Sequence, residues 1–215
     1  MPQTSTLAIK QEWQAAWSIP SFRVKLITVA ILTAAVLSCF PVFFQWAERR
    51  HGTLLNDPVL QLFPAHNVSI PIFILIWTLA GLGFFRAIQN PRILLTYLWA
   101  YVLLSLMRFL SITLVPLEPP VGLIALVDPL SNFFYGPKFV TKDLFFSGHT
   151  STIFLIFFVL RNKKDRRLAA IITCGVAVLL LVQHVHYTFD VLAAFPLAWL
   201  CWWIATHTVV RDHRY

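Results

Sequence analysis

Read for hydrophobic and polar positions, the chain resolves into six long apolar runs separated by polar or proline-rich breaks. A helix that crosses a bilayer needs about 20 mostly apolar residues, within a range of about 17–25. Residues 26–46, 68–85, 93–117, 144–160, 168–185 and 191–210 meet that length. The third run carries one charge, Arg108, and the other five carry none. In lipid the backbone has no hydrogen-bond partner but itself, so all six runs predict helices. Residues 1–21 are mixed and partly amphipathic, with Trp13 and Trp17 one turn apart, and predict a short interfacial helix. The first long run exceeds the apolar stretch of a signal peptide, and no such peptide stands out. The expected organisation is a cytoplasmic segment over 1–21, a six-span unit over 22–210 and a cytoplasmic tail over 211–215.

Composition agrees with the pattern. The 215 residues are 58% hydrophobic and 12% charged, with a mean hydropathy of +0.72. A soluble domain carries about a quarter charged residues. The expected class is therefore an all-α membrane protein, without a large soluble partner domain. Cys39, Cys174 and Cys201 lie inside apolar runs at no metal-like spacing, which argues against a disulfide framework or a zinc site. The net charge of +8 suits orientation in the membrane and contact with anionic headgroups. It does not suggest nucleic-acid binding, because no soluble basic face exists to present it.

The basic residues predict which side is which. With the N-terminus in the cytoplasm, twelve of the 17 lysines and arginines fall on the cytoplasmic side, five of them in RNKKDRR at 161–167. Arg49, Arg50, Lys138 and Lys142 fall on the other side, and Arg108 lies within a span. This is the positive-inside bias, and it places both termini in the cytoplasm. Acidic residues distribute the opposite way: Glu48, Asp57, Glu118, Asp128, Asp143 and Asp190 lie outside, while Glu12, Asp165 and Asp212 lie inside. Acidic residues do little to set topology, so their outer clustering calls for another cause. Two outer loops suit a lid or the rim of a site: 47–67, with Pro58 and Pro64, and 118–143, rich in proline and glycine with scattered aromatics.

The remaining polar residues gather at that outer end. His149 starts the fourth span, His184, His186 and Asp190 lie between the fifth and sixth, and Arg108 and Glu118 lie toward the end of the third. Ionisable residues inside spans are expensive and usually face an interior cavity, so function is the default reading. His186 and Asp190 are spaced i, i+4, which allows a hydrogen bond on one helix face. A carboxylate on one ring nitrogen fixes the tautomer and leaves the other as nucleophile or base. His149 adds a second imidazole from another helix. Two histidines and an aspartate fit phosphoryl transfer, with one ring attacking phosphorus and the other protonating the leaving oxygen. Ser147 and Gly148 fall near a helix N-terminus, where free amides and the positive dipole end receive a phosphate. Gly148 admits close approach to the backbone. Arg108 is either a charge clamp on that phosphate or the structural partner of an outer acid. Glu118 either joins the site or shapes a loop end. His184 points away from His186 if both are helical, and its role stays open. His51, His66, His207 and His213 read as interfacial residues. A metal site is an alternative for the same His and Asp groups, but no compact ligand motif supports it.

KDLFFSGHT at 142–150, with HYTFDV at 186–191, resembles the sphingomyelin synthase family of PAP2-like lipid phosphotransferases. The family pattern D-x-x-x-S-G-H-T is matched by Asp143, Ser147, Gly148, His149 and Thr150. The pattern H-Y-T-x-D-V is matched by His186, Tyr187, Thr188, Asp190 and Val191. A weaker second motif is echoed by Arg108, Thr113, Pro116 and Pro119, and a first motif is only hinted at around residues 57–64.

The resemblance implies a PAP2-like core of six spans with its active-site cavity on the exoplasmic, periplasmic or lumenal face. It implies that His186 takes a phospho-headgroup from a phospholipid and that Asp190 orients it. His149 then protonates the departing diacylglycerol and later serves as base on the acceptor. Asp143 and Glu118 become supporting acids, and Tyr187 a substrate contact. The K-x6-R-P motif and the Ser-Arg pair of lipid phosphate phosphatases are absent, with Leu179 and Leu180 where Ser-Arg would fall. That favours a transferase to ceramide or a related lipid alcohol, compact and without an accessory domain. The competitors are a phospholipase C or lipid phosphatase that uses water, and a non-enzymatic lipid transporter or scramblase. No cofactor or metal is expected. The expected partners are membrane lipids, and a homo-oligomer is compatible with the sequence.

Overall fold

In the computed structural model, residues 6–126 and 140–210 are described. Expectations for Asp128, Lys138, Arg211, Asp212, His213 and Arg214 lie outside them. Among the described residues the chain forms seven α-helices and no named strand. They are α1 (Thr6–Ser18), α2 (Pro20–Glu48), α3 (Ser69–Gln89), α4 (Pro91–Leu114), α5 (Gly148–Val159), α6 (Lys163–Val182) and α7 (Thr188–Ile204). A π-turn, Ala205–Val209, extends α7.

The helix starts follow local chemistry. Pro20 and Pro91 occupy first helical positions, where a missing N–H costs nothing. Asn90 caps α4 by accepting from the Arg92 and Ile93 amides, Asn162 caps α6 through Lys164 N–H, and Ser147 caps α5 through Thr150 N–H.

Among the described residues four helices are long and apolar enough to cross a membrane: α2, α3, α4 and α7 with its π-turn. The chain is accordingly a multi-pass helical membrane protein. The other two expected spans differ from expectation. The run 144–160 is helical only from Gly148 to Val159. Those 12 residues reach about 18 Å at 1.5 Å per residue. The shortfall comes from Ser147, which takes the cap position, and from Phe145, whose φ of 41° lies outside the right-handed helical region. The run 168–185 begins earlier, at Lys163, and ends at Val182, so α6 opens on the charged KKDRR segment.

From α2 to α7 the helices alternate in direction. Three buried clusters hold them: α1, α2 and α4 share one, α3, α5 and α6 a second, and α4, α5 and α7 a third. At the basic end, Arg86 of α3 pairs with Asp165 of α6 (Nε to Oδ2, 2.7 Å). At the same end Trp13 donates from its indole to the Ile88 carbonyl, docking the predicted N-terminal helix onto α3.

The opposite end is closed by loops. Arg50 donates to the Ile112 and Thr113 carbonyls, satisfying the last turn of α4. Glu48 accepts from the Thr141 and Lys142 amides and from the Thr141 hydroxyl. Thr53 and Leu117 form a parallel bridge, and Gly52 packs so close to the Leu117 backbone that a Cβ would stand 2.5 Å from its carbonyl carbon. Gln183, fully buried at the end of α6, donates to Ser69 and to the Ile124 and Ala125 carbonyls, and accepts from Val68 N–H.

Candidate active site

The two sequence motifs meet through the backbone. Ser147 N–H, at the cap of α5, donates to the Asp190 carbonyl in the first turn of α7 (3.1 Å). His149 therefore stands just inside one helix start, and His186 just before another. Asp190 is completely buried. Its Oδ2 accepts from Tyr187 N–H at 3.2 Å and lies 3.4 Å from His186 Nδ1. The expected i, i+4 contact thus exists, although His186 precedes the helix. The carboxylate reaches back over the N-terminus of α7 as in a capping box. A proton on His186 Nδ1 facing this carboxylate leaves Nε2 with its lone pair.

Arg108 lies on α4, less than two turns from its end, and is 6% exposed. It forms an ion pair with Asp143. Its guanidinium also lies against Gly148, where a Cβ would stand 2.5 Å from Nη1. A cation thus sits at the positive end of α5. Like charges repel there, and an anion between them is favoured; Asp143 supplies part of that negative charge.

Arg108, Asp143, Gly148 and His149 line one cavity of about 220 Å³, closed on its apolar side by Phe73 and Trp77 of α3. A larger cavity of about 550 Å³ lies under the loops around residues 54–64 and 120–121, lined among others by Asp57, His184 and Tyr187. The larger one holds neither motif histidine, so the smaller one is the candidate site. His186, 2% exposed, borders neither cavity.

Other predicted site residues have visible partners. The Ser147 hydroxyl is fully buried and engages Thr150 as a cap. Glu118 pairs with Lys142 (2.8 Å) and accepts from Gly52 N–H. The Lys142 ammonium and the Gly52 amide hold its carboxyl below the ordinary glutamate value. The Tyr187 hydroxyl donates to the Glu118 carbonyl and accepts from Leu55 N–H. In these positions Glu118 and Tyr187 join the outer loops to the start of α7. His184 follows the end of α6 with φ of 54° and its Nδ1 is 3.1 Å from the Val121 carbonyl, away from His149. Among the described residues no three His, Cys, Asp or Glu side chains cluster as metal ligands.

Asp57 has a part the motifs did not give it. Its carboxylate accepts from the Thr188 amide and hydroxyl, fixing the first residue of α7 from a distant loop. The only hint in the sequence was the faint first-motif echo around residues 57–64.

A family model described as PAP2 superfamily C-terminal matches residues 142–208. That span holds both motifs and α5 through α7, about a third of the chain. This part of the protein is similar to the PAP2-like superfamily, which is consistent with lipid phosphatase or phosphotransferase chemistry. No curated protein and no solved structure matches the chain.

Proposed function

We propose that the protein transfers a phospho-headgroup, such as phosphocholine or phosphoethanolamine, from a phospholipid to ceramide or a related lipid alcohol. The observation that carries this reading is the Ser147–Asp190 backbone bond, which sets His149 and His186 at adjoining helix starts.

In the first half-reaction His186 Nε2 attacks phosphorus and the bond to the glycerol oxygen breaks. His149, protonated, gives its proton to that oxygen, and diacylglycerol leaves. The Asp190 carboxylate holds the proton on His186 Nδ1 and stabilises the cationic phosphohistidine. In the second half the acceptor hydroxyl gives its proton to His149 as its oxygen attacks phosphorus. The P–N bond breaks and its electron pair returns to Nε2. Arg108, with the Gly148 end of α5, stabilises the phosphoryl oxygens throughout. Admission of substrate has to open the wall over His186, which is closed off in this structure.

Water in place of the alcohol turns the same steps into hydrolysis. The PAP2 superfamily match favours this second reading equally, since it fits phosphatases as well as transferases.

The deciding experiment reconstitutes the full-length protein with labelled phospholipid and ceramide, in EDTA, and identifies products by mass. A phosphosphingolipid with diacylglycerol supports transfer. Free phosphate or free phospho-headgroup alone makes the protein a hydrolase. Lipid movement without any product makes it a transporter.

We also propose that both termini are cytoplasmic and that the site opens on the exoplasmic or lumenal side. Cysteines introduced at the exposed Gln61 and Lys164 should react from opposite faces of sealed vesicles. Reaction of both from one face would overturn this placement.

A further inference from the structure

A second, apolar cavity lies about one helical turn beyond the one that holds His149, along the same three helices. The second has a volume of about 390 Å³ and lies between α3, α4 and α5. The two are in register on every wall. On α3, Trp77 borders the first and Ala80 the second; on α4, Tyr101 and Tyr97; on α5, Thr152 and Ile156. Each step is about one helical turn, or about 5.4 Å. Tyr97 and Tyr101 are stacked, with ring centroids 6.2 Å apart and planes at 15°, so one aromatic pair contributes to the lining of both cavities.

Small residues keep the trough open. Ala80, Gly83 and Ala87 face it from α3, at spacings that recur on one helix face. A Cβ at Gly83 would stand 3.1 Å from the Ile156 side chain, so a larger residue there pushes into the lining of the trough. The far end is reached at Ile93, fifteen residues before Arg108 on α4. That distance is about 22 Å at 1.5 Å per residue. One end of the trough is therefore cationic and polar, and the remainder is apolar and elongated.

We propose that this trough binds one acyl chain of the lipid whose phosphate lies at Arg108 and His149, and that Gly83 and Ala80 set the chain length accepted. The inference rests on the reading of the polar end as a phospholipid headgroup site. The occupant follows from alignment: a ligand anchored by its phosphate at the polar cavity has this apolar cavity one helical turn further along α3, α4 and α5. The substrate class is then a long-chain phospholipid, selected by its tail as well as by its headgroup.

The test uses the full-length protein in phosphatidylcholine vesicles containing a trace of phosphatidylcholine with a diazirine at the methyl end of a long acyl chain. Photolysis and peptide mapping should place adducts on the cavity-lining Ile93, Leu94 or Ile156. A diazirine near the headgroup should mark Trp77, Tyr101 or Thr152 instead. Gly83→Leu should abolish the methyl-end adducts and lower turnover of long-chain donors by roughly tenfold, with short-chain donors changed less than about twofold. Ala80→Leu should act in the same direction. Adducts scattered over lipid-facing positions such as Ile31 and Phe189, for either probe, overturn the inference. The adduct map needs no variant and no turnover. Adducts in the trough of a protein without phosphotransfer would therefore uphold the chain site and overturn the enzymatic reading. A transferase with adducts elsewhere would do the reverse.

Discussion

Ser147 and Asp190, 43 positions apart in the chain, are joined by a backbone hydrogen bond of 3.1 Å from the amide of one to the carbonyl of the other. The bond uses backbone atoms that every residue but proline has, so no substitution other than Ser147→Pro removes it directly. It makes the starts of α5 and α7 a single unit. Chemistry that requires His149 and His186 to act on one phosphorus requires such a unit, because misplacement by about 1 Å can cost on the order of 10²-fold in rate.

Asp190→Asn should leave that backbone link in place and disable the histidine beside it. The carboxylate that faces His186 Nδ1 and Tyr187 N–H becomes an amide, which does not stabilise a cationic ring. Turnover should fall by about 10²–10⁴-fold, the range for loss of a group supporting acid–base or nucleophilic catalysis. Melting in detergent should shift far less than in a variant that leaves the cavity empty, such as Asp190→Ala. Retained turnover in Asp190→Asn would remove Asp190 from the mechanism.

His149→Ala separates proton donation from nucleophilic attack. With a natural phospholipid, turnover should fall by about 10²–10⁴-fold. With a donor whose leaving group is a nitrophenol, which departs without a proton, most of the first half-reaction should return. Release of nitrophenol followed by stalled transfer would show a trapped phosphohistidine, stable to alkali and labile to acid. Equal loss on both donors would mean that His149 does not serve as the acid.

Gly148→Ala tests the cation at the helix start. The added methyl would stand 2.5 Å from Arg108 Nη1, so the guanidinium has to move away from the α5 terminus and from Asp143. Phosphate contact should weaken, with kcat/KM lower by roughly 10²-fold. Competitive inhibition by inorganic phosphate or vanadate should weaken in parallel. Unchanged inhibition would show that Arg108 does not contact the anion.

Much of this site was legible in the sequence because its residues are rare in their surroundings. His149, His186, Asp190 and Arg108 are ionisable groups in or beside apolar runs, and their convergence at one end followed from counting charges and turns. The i, i+4 spacing of His186 and Asp190 was expected to act along a helix; it acts across a helix start instead, because Tyr187 takes the cap position. Periodicity did not show where α5 begins. Leu144 and Phe146 are as apolar as the helix that follows, yet both are buried in non-helical backbone. Glu48 and Gln183 carried no signal of their own either, and Asp57 only the faint echo around residues 57–64. Their work is to hold loops by hydrogen bonds to backbone atoms far away in the chain, and such partners leave no spacing to read.

Asp57 gives the pH behaviour its sign. Burial raises its carboxyl value, but the Thr188 amide and hydroxyl and the Val59 and Leu60 amides together outweigh that and hold it below the ordinary aspartate value. A depressed folded-state value adds stability that is fully present above the unfolded value and disappears as pH falls through the folded one. The wild-type protein should therefore lose thermal stability on acidification from the ordinary carboxylate range downward, and part of that loss belongs to Asp57. Asp57→Asn should melt lower near neutral pH, since the amide keeps one accepting oxygen and its nitrogen cannot accept from the donors on the other side, and its melting temperature should fall less steeply with acid. The two curves should converge once the wild-type carboxyl is protonated. The start of α7 is where Asp57 acts, so hydrogen exchange at the Thr188 amide should quicken in the variant at neutral pH and match wild type in acid. Parallel melting curves, with no difference at Thr188, would show that the loop does not hold α7 in place through this carboxylate.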